Sequence, residues 1–436
     1  MSAAFRTTAE LHARYLRTTG ACTDTRKLLP GGMFFALKGP NFNANAFAPQ
    51  ALAGGCSCAV VDDPSVATDD RYLLVPDVLR ALQELGRHHR RTFDIPVVAI
   101  TGTNGKTTTK ELVHAVLSTD RATLATEGNL NNHIGVPLTL LRLRPEHRIA
   151  IVEMGANHVG DIRELVGIAE PTHGLITNIG RAHLEGFGSY EGVIKAKTEL
   201  YDFLGAHNGT LFVHGDDPLL MAKSEGLKRV TYGRDEHFDA SGEALASDEP
   251  GMELVFEDVR WHGHYHIVMK LIGDYNAPNA LAAVCIGQHF GVADDAIAGA
   301  LQEYTPSNNR SQFSDTGRNQ LVLDAYNANP SSMKVALENF AAMRTDRPKL
   351  AILGGMKELG ADSRSEHEAI VDAVKRLGVD AVFVGPEFVE LAGRGITAYP
   401  DANAALEAFK QKPLTGHLVL VKGSRGTKLE TLVPAL

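Results

Sequence analysis

A run of apolar, largely β-branched residues, Val97-Val98-Ala99-Ile100-Thr101, passes directly into Gly102-Thr103-Asn104-Gly105-Lys106-Thr107-Thr108-Thr109. The next stretch, Lys110-Glu111-Leu112-Val113-His114-Ala115-Val116-Leu117, sets Leu112, Val113, Val116 and Leu117 on one helical face. Strand, glycine loop and helix in immediate succession form the context in which a phosphate-loop pattern carries weight. The two glycines let the backbone curl so that successive N–H groups point inward at an anion, and the helix N-terminus adds its partial positive charge. Lys106 would reach terminal phosphates, and the Thr107 hydroxyl would enter a Mg²⁺ shell. The spacing is short, however: the usual loop has four residues between its glycines, whereas Gly102 and Gly105 enclose two, and Ile100 stands where the earlier glycine would be. On these residues alone an ordinary strand-to-helix turn is a competing reading.

At 436 residues the chain exceeds one compact core, so about two or three domains are expected. Lys and Arg number 43 against 52 Asp and Glu, a net charge of −9, which argues against sequence-independent binding to nucleic acid. No apolar run approaches the roughly 20 residues that span a bilayer, and Met1-Ser2-Ala3-Ala4-Phe5-Arg6 leads into a charged stretch rather than an apolar signal core. Cys22, Cys56, Cys58 and Cys285 are too few for a disulfide framework, and Cys56-x-Cys58 has no second pair to make a zinc site. As small buried residues they fit a reducing cytoplasm.

Residues 1–94 alternate short apolar runs with turns. Strands are expected at Gly32 to Leu37, Ala59 to Val61 and Leu73 to Val75, with helices near Phe47 to Ala53 and Val78 to His89. This reads as a small α/β domain. Thr23-Asp24-Thr25-Arg26 is placed just upstream of its first strand, as a cap or a solvated turn. A larger α/β unit, 95–308, opens with the glycine loop. Its next strand, Ile149-Ala150-Ile151-Val152, ends in Glu153, where a sheet can offer an oxygen to a metal beside a phosphate loop. Another, Gly174 to Thr177, ends in Asn178-Ile179-Gly180-Arg181-Ala182-His183. Polar residues thus gather at the carboxyl ends of several strands, where open sheets bind ligands. A helix from about Tyr190 to Leu204 carries Lys195 and Lys197. Asn276 and Asn279 lie three apart where a loop enters an alanine-rich helix; they could read the edge of a base, or serve as caps. The segment 309–436 alternates strands at Leu321 to Leu323, Leu350 to Leu353, Ala381 to Val384 and Leu418 to Val421 with helices, as a doubly wound, mainly parallel sheet does.

Taken together, the motifs resemble those of the Mur ligase family. The short loop Thr101-Gly102-Thr103-Asn104-Gly105-Lys106-Thr107-Thr108 matches the family's own phosphate loop. Gly128-Asn129-Leu130-Asn131-Asn132-His133-Ile134-Gly135-Val136-Pro137 and Glu153-Met154-Gly155-Ala156-Asn157 match further signatures. Thr177 to Phe187 and Asp324-Ala325-Tyr326-Asn327-Ala328-Asn329-Pro330 resemble in particular the branch that adds D-alanyl-D-alanine to UDP-N-acetylmuramoyl-tripeptide. The resemblance runs from about residue 20 to the C-terminus. It implies an α/β chain of three domains: a small N-terminal domain for the nucleotide sugar, a central phosphate-loop ATPase with a mainly parallel sheet, and a C-terminal Rossmann-like domain. It also implies ATP-driven peptide-bond formation through an acyl phosphate, by a cytoplasmic monomer of peptidoglycan synthesis.

The resemblance assigns roles residue by residue. Gly102, Thr103, Asn104, Gly105, Lys106, Thr107 and Thr108 would hold ATP, with Asn276 and Asn279 reading adenine, Tyr326 against the base, Asp324 at the ribose and Arg310 at the γ-phosphate. Thr107, Glu153 and His183 would hold Mg²⁺. Lys197, not Lys195, matches the lysine that the family carbamylates, which requires an unprotonated amine. Lys106, Glu153, His183 and Lys197 would thus form the catalytic set. Thr25, Arg26 and Lys38 would face the UDP-sugar, supported by Asn131, Asn132 and His133; Asn327, Asn329, Lys422, Ser424 and Arg425 would complete the peptide end. Three departures occur: Asp24-Thr25-Arg26 where relatives often carry Asp-Ser-Arg, Asn43-Ala44-Asn45 where many have Asp-Gly-His or Asp-Ala-His, and Ala325 where serine is common. The rivals are a sibling ligase adding one amino acid, whose Asp-Asn-Pro signature is absent here, and a nucleotide-binding amidotransferase subunit, whose four-cysteine zinc insertion these cysteines do not match.

Overall fold

Strand Val97–Thr101 is buried at all its positions because both of its faces are covered. Val98 and Ile100 pack into a core with helices Lys106–Leu117 and Ala277–His289, while Val97 and Ala99 pack on the opposite side with Asp161–Ala169 and Tyr190–Ala206. Two-sided burial is what a near-continuous apolar strand specifies. The computed structural model describes residues 5–182, 184–245, 251–257, 263–306 and 310–436. Their strands form three main sheets and one short hairpin.

The central sheet has nine strands. In spatial order they are His264–Met269, Met252–Glu257, Ala240–Leu245, Arg229–Gly233, Thr210–His214, His173–Ile176, Val97–Thr101, Ile149–Glu153 and Thr123–Ala125. The pairings from Thr123–Ala125 to Ala240–Leu245 are parallel, and the last two are antiparallel. That antiparallel extension is absent from the sequence reading. In Met252–Glu257 buried and half-buried residues alternate strictly, the mark of a strand covered on one face. The chain leaves Val97–Thr101 toward one edge, returns as Ile149–Glu153 on one side of it, and then places His173–Ile176 on its other side. The glycine loop therefore opens at a topological switch point, where parallel sheets bind ligands.

The first sheet, Ala21–Cys22, Met33–Phe35, Cys58–Val61 and Tyr72–Leu74, is all parallel. Its first strand is Ala21–Cys22, so Thr23 to Arg26 follows that strand instead of preceding the first; two residues are too short for a periodic signal. Helix Val78–Arg90 packs between this sheet and the central helices Gly135–Leu140 and Asp161–Ala169. The approach is close at Gly86, where a Cβ would lie 2.7 Å from Pro137 Cβ. The third sheet runs Gln312–Asp315, Gln320–Asp324, Leu418–Lys422, Lys349–Gly354, Asp380–Val384, Thr397–Tyr399, parallel except for its first strand. Among the described residues, no helix is long and apolar enough to cross a membrane.

Candidate functional site

The glycine loop forms the floor of a cavity of about 1130 Å³ that also reaches the carboxyl ends of the central and third sheets. Gly105, at φ +79°, caps helix Lys106–Leu117, and Gly102 has φ +142°. A Cβ on Gly102 would fall 2.0 Å from Thr177 Oγ1, and one on Gly105 2.5 Å from Asn279 Oδ1, so both positions demand glycine. The loop is strapped to the end of the neighbouring strand. Thr103 N–H donates to Asn178 O at 2.9 Å, Asn104 N–H to Asn178 Oδ1 at 3.0 Å, and Thr177 Oγ1 donates to Asn104 O at 2.6 Å. Thr177 and Asn178 thus position the loop, a role the sequence reading missed although both lie within a motif it quoted.

Lys106 curls over the loop, its Nζ donating to Gly102 O at 2.8 Å and Thr103 O at 2.9 Å. Burial pushes its pKa down to about 8; the Glu153 carboxylate opposes that shift and Arg310 adds to it. An anion held by the loop would reverse the balance. Glu153 is buried, with Oε1 accepting from Asn131 Nδ2 at 2.7 Å and its N–H donating to Thr126 Oγ1 at 3.0 Å. Its second oxygen, Oε2, is buried and has no hydrogen-bond partner among the described residues. An unpaired buried carboxylate oxygen beside a phosphate loop, with the hydroxyl of buried Thr107 in the first helical turn, is a hard-oxygen donor set. It fits Mg²⁺, which binds through few protein oxygens and completes its shell with phosphates and water. Among the described residues, no three His, Cys, Asp or Glu side chains cluster for a metal. His183, expected at this centre, lies outside the described residues.

Lys197 faces the same cavity from helix Tyr190–Ala206 and is 3% exposed, with its Nζ 5.5 Å from the centre of the Phe187 ring. Burial first, and the Lys106 cation second, hold its amine well below the usual lysine range. Lys195 is exposed. Two residues, a little over half a turn of the helix, thus separate a solvated lysine from a buried one. Glu199, unassigned by sequence, is buried and caps helix Asp161–Ala169 through Gly160 N–H at 2.8 Å and Arg163 N–H at 2.9 Å.

Asn276 and Asn279 are both buried and tie elements together. Asn276 Nδ2 donates to Ile272 O at 2.8 Å and Ser311 Oγ at 3.2 Å, and Asn279 Nδ2 donates to Asn276 Oδ1 at 2.8 Å. Thr109 Oγ1 in turn donates to Asn279 Oδ1 at 3.0 Å. Both amide protons of Asn276 are therefore spent within the protein, while the second Nδ2 proton of Asn279 has no partner among the described residues. Arg310 lies over the Tyr326 ring at 3.6 Å, with Arg425 at 5.4 Å, so one face of the ring already carries a guanidinium. Arg310 Nε is buried without a partner among the described residues. Asp324 receives the buried Lys422 Nζ at 2.5 Å.

Asn131, Asn132, His133, Asn327, Asn329 and Lys422 line the cavity; Ser424 and Arg425 do not. Asn132 Oδ1 is engaged by Ile134 and Gly135 N–H, and Asn329 by Asn104. Thr25 and Arg26, in the turn after strand Ala21–Cys22, and Lys38, in the short hairpin Lys38–Gly39 with Phe42–Asn43, stand away from the cavity lining. There Arg26 pairs with Asp24 at 2.8 Å and Lys38 with Asp62 at 2.8 Å. Asn45, in one of the departing segments, is buried, and its Nδ2 donates to Asp62 at 2.7 Å.

Comparison with known proteins adds to this geometry. Residues 100–287 match the Mur ligase middle domain, and residues 309–425 match the Mur ligase, glutamate ligase domain. A UDP-N-acetylmuramoyl-tripeptide--D-alanyl-D-alanine ligase of Escherichia coli (strain K12) is 38% identical over 442 residues, covering 98% of this chain and 95% of that protein. The crystal structure of MurF from Acinetobacter baumannii is similar with a TM-score of 0.86 and 31% identity, over 100% of this chain and 99% of that one. MurF ligase from Thermotoga maritima, solved in complex with ADP, is similar with a TM-score of 0.83 and 26% identity, over 96% and 97% of the two chains.

Proposed function

This chain belongs to the Mur ligase family, and on that premise we propose that it joins D-alanyl-D-alanine to UDP-N-acetylmuramoyl-tripeptide, converting ATP to ADP and phosphate. The observation that carries the reading is the span of the likeness. The match to a ligase of this specificity covers 98% of this chain, far more than the ATPase segment alone. We divide the chain near residues 94 and 308 accordingly, and assign it to the cytoplasm as a monomer.

The chemistry follows from charge. The terminal carboxylate of the tripeptide attacks the γ-phosphorus, forming a carboxyl–phosphate bond as the bond to the ADP oxygen breaks. The dipeptide amine then attacks the acyl carbon, inorganic phosphate leaves, and the amine proton is released. Bringing a carboxylate to a polyphosphate sets anion against anion, so the site must concentrate positive charge where the transition state gathers it. Lys106 exchanges its two loop carbonyls for phosphate oxygens, and binding raises its pKa. The N–H groups of Gly105 to Thr108, at the start of helix Lys106–Leu117, hold the phosphates. Thr107 and Glu153, with His183, would hold Mg²⁺, which supplies Lewis-acid charge neutralisation at the phosphates. Arg310 reaches the γ-phosphate from the third sheet, Asp324 offers its remaining oxygen to the ribose, and Tyr326 and Asn279 meet the base. The Lys197 amine, held well below the usual lysine range by burial, is suited to carbamylation, which would place a carboxylate beside the metal. Thr25, Arg26 and Lys38 face the uridine nucleotide.

The test is phosphate release from ATP by the full chain. Release should require both UDP-tripeptide and D-alanyl-D-alanine. Equal turnover with single amino acids, and none with the dipeptide, would instead establish a sibling ligase.

A further inference from the structure

The side-chain amide of Asn329 is fixed at both ends. As the cap of helix Pro330–Ala342, its Oδ1 accepts from Ser332 N–H at 2.9 Å, and Ser332 Oγ accepts from Asn329 N–H at 3.1 Å. With the oxygen committed to the helix, the Nδ2 end faces the glycine loop and donates to Asn104 Oδ1 at 2.8 Å. An amide that accepts through its oxygen must direct its own nitrogen elsewhere. Asn104 lines the large cavity, and its Nδ2 makes no hydrogen bond among the described residues. Rotation of the Asn104 backbone is blocked by its bonds to Thr177 and Asn178. Two residues beyond Asn329, Ser331 Oγ accepts from Arg181 N–H at 3.2 Å. Ser331 Oγ also lies 3.0 Å from a Cβ position on Gly180, whose own N–H donates to Thr103 Oγ1 at 2.9 Å. The start of helix Pro330–Ala342 therefore meets the loop directly at Asn104 and meets the Gly180–Arg181 segment that holds Thr103.

We infer that Asn329 is a positioning residue for phosphoryl transfer: by setting the polarity of the Asn104 amide, it turns a hydrogen-bond donor toward the terminal phosphates. The inference rests on the proposed ATP site at this loop. A phosphate facing Asn104 Oδ1 would meet a lone pair; facing Nδ2 it meets a proton, and the gain grows as charge develops on the transferring group. Because the donor belongs to the third sheet, the loop acquires its full donor set only with that sheet docked. This differs from the peptide contact expected of Asn329, whose amide oxygen and one amide proton are already spent within the protein.

The experiment uses the full chain with saturating UDP-tripeptide and D-alanyl-D-alanine. Asn329→Ser keeps a capping oxygen but is too short to reach Asn104; Asn329→Thr provides a second capping variant. Each should lower kcat about tenfold, as expected for one lost hydrogen bond to a charged group, with KM for ATP within about twofold. Asn329→Asp keeps the cap but offers Asn104 a second acceptor, which draws Nδ2 away from the phosphates, so its kcat should fall further. In an Asn104→Ala background the loss from Asn329→Ser should vanish. An unchanged kcat in Asn329→Ser and Asn329→Thr, or a loss that persists in the Asn104→Ala background, would overturn the relay. A wild-type chain that fails to turn over would instead overturn the ligase reading.

Discussion

Replacing Gly102 by alanine should disable the loop without unfolding the chain. The position has φ +142°, and the added Cβ would lie 2.0 Å from Thr177 Oγ1 and 3.0 Å from Thr177 N. Thr177 cannot turn aside freely, because its Oγ1 donates to Asn104 O at 2.6 Å. The backbone conformation costs about 1–2 kcal/mol for a residue with a Cβ, the overlap about 1–3 kcal/mol, and the lost hydrogen bond about 1 kcal/mol. Together these give about 3–6 kcal/mol, or roughly two to four decades in the population of the nucleotide-competent loop. Calorimetric titration with a non-hydrolysable ATP analogue should therefore show affinity reduced at least about a hundredfold, with the far-ultraviolet dichroism unchanged. Gly167 in helix Asp161–Ala169 is the control: nothing lies within 4 Å of its Cβ position. Gly167→Ala should stabilise the protein by up to about 1 kcal/mol and leave the affinity intact. If Gly102→Ala binds the analogue within about threefold of wild type and melts at the same temperature, the argument from the cradle fails.

Lys106 gives a pH prediction with a definite sign. Burial lowers its pKa to about 8 in the ligand-free chain, and bound phosphates would raise it. Nucleotide binding near pH 8 should thus take up protons, and apparent affinity should fall as pH rises from there; calorimetry in two buffers of different ionisation enthalpy measures it, and zero uptake would contradict it. Lys106→Ala should abolish turnover with the fold intact, as read by kinetics and circular dichroism. For Lys197, whose amine is held well below the lysine range by burial and the Lys106 cation, bicarbonate should activate CO₂-stripped enzyme and short carboxylates should partly rescue Lys197→Ala. No bicarbonate response at neutral pH would rule out the carbamate.

What the sequence revealed was local. Val97 to Leu117 could be read because a doubly buried strand, a tight glycine turn and an amphipathic helix each leave a signal within a few residues. The extension Ala240–Leu245, Met252–Glu257 and His264–Met269 could not, since its alternating residues face a core assembled from helices beyond it in the chain. Site residues that end strands, such as Glu153, were accessible for the same local reason as their strands. The partners that define their chemistry were not. Asn104 and Asn329 are 225 residues apart, and Asn276 looks like a free carboxamide until Ile272 and Ser311 are seen to take both its amide protons. Lys195 and Lys197 are indistinguishable by helix propensity; packing separates them, leaving Lys197 buried beside Phe187 and Lys195 exposed.

In the proposed reaction the loop delivers a phosphoryl group to a peptide carboxylate. UDP-tripeptide carrying heavy oxygen in its terminal carboxylate tests this directly. Attack by that carboxylate on the γ-phosphorus, followed by displacement by the amine of D-alanyl-D-alanine, leaves one carboxylate oxygen on the phosphate. Mass spectrometry of the released phosphate should therefore find one heavy oxygen per molecule, with ADP unlabelled. Unlabelled phosphate alongside completed ligation would contradict the claim.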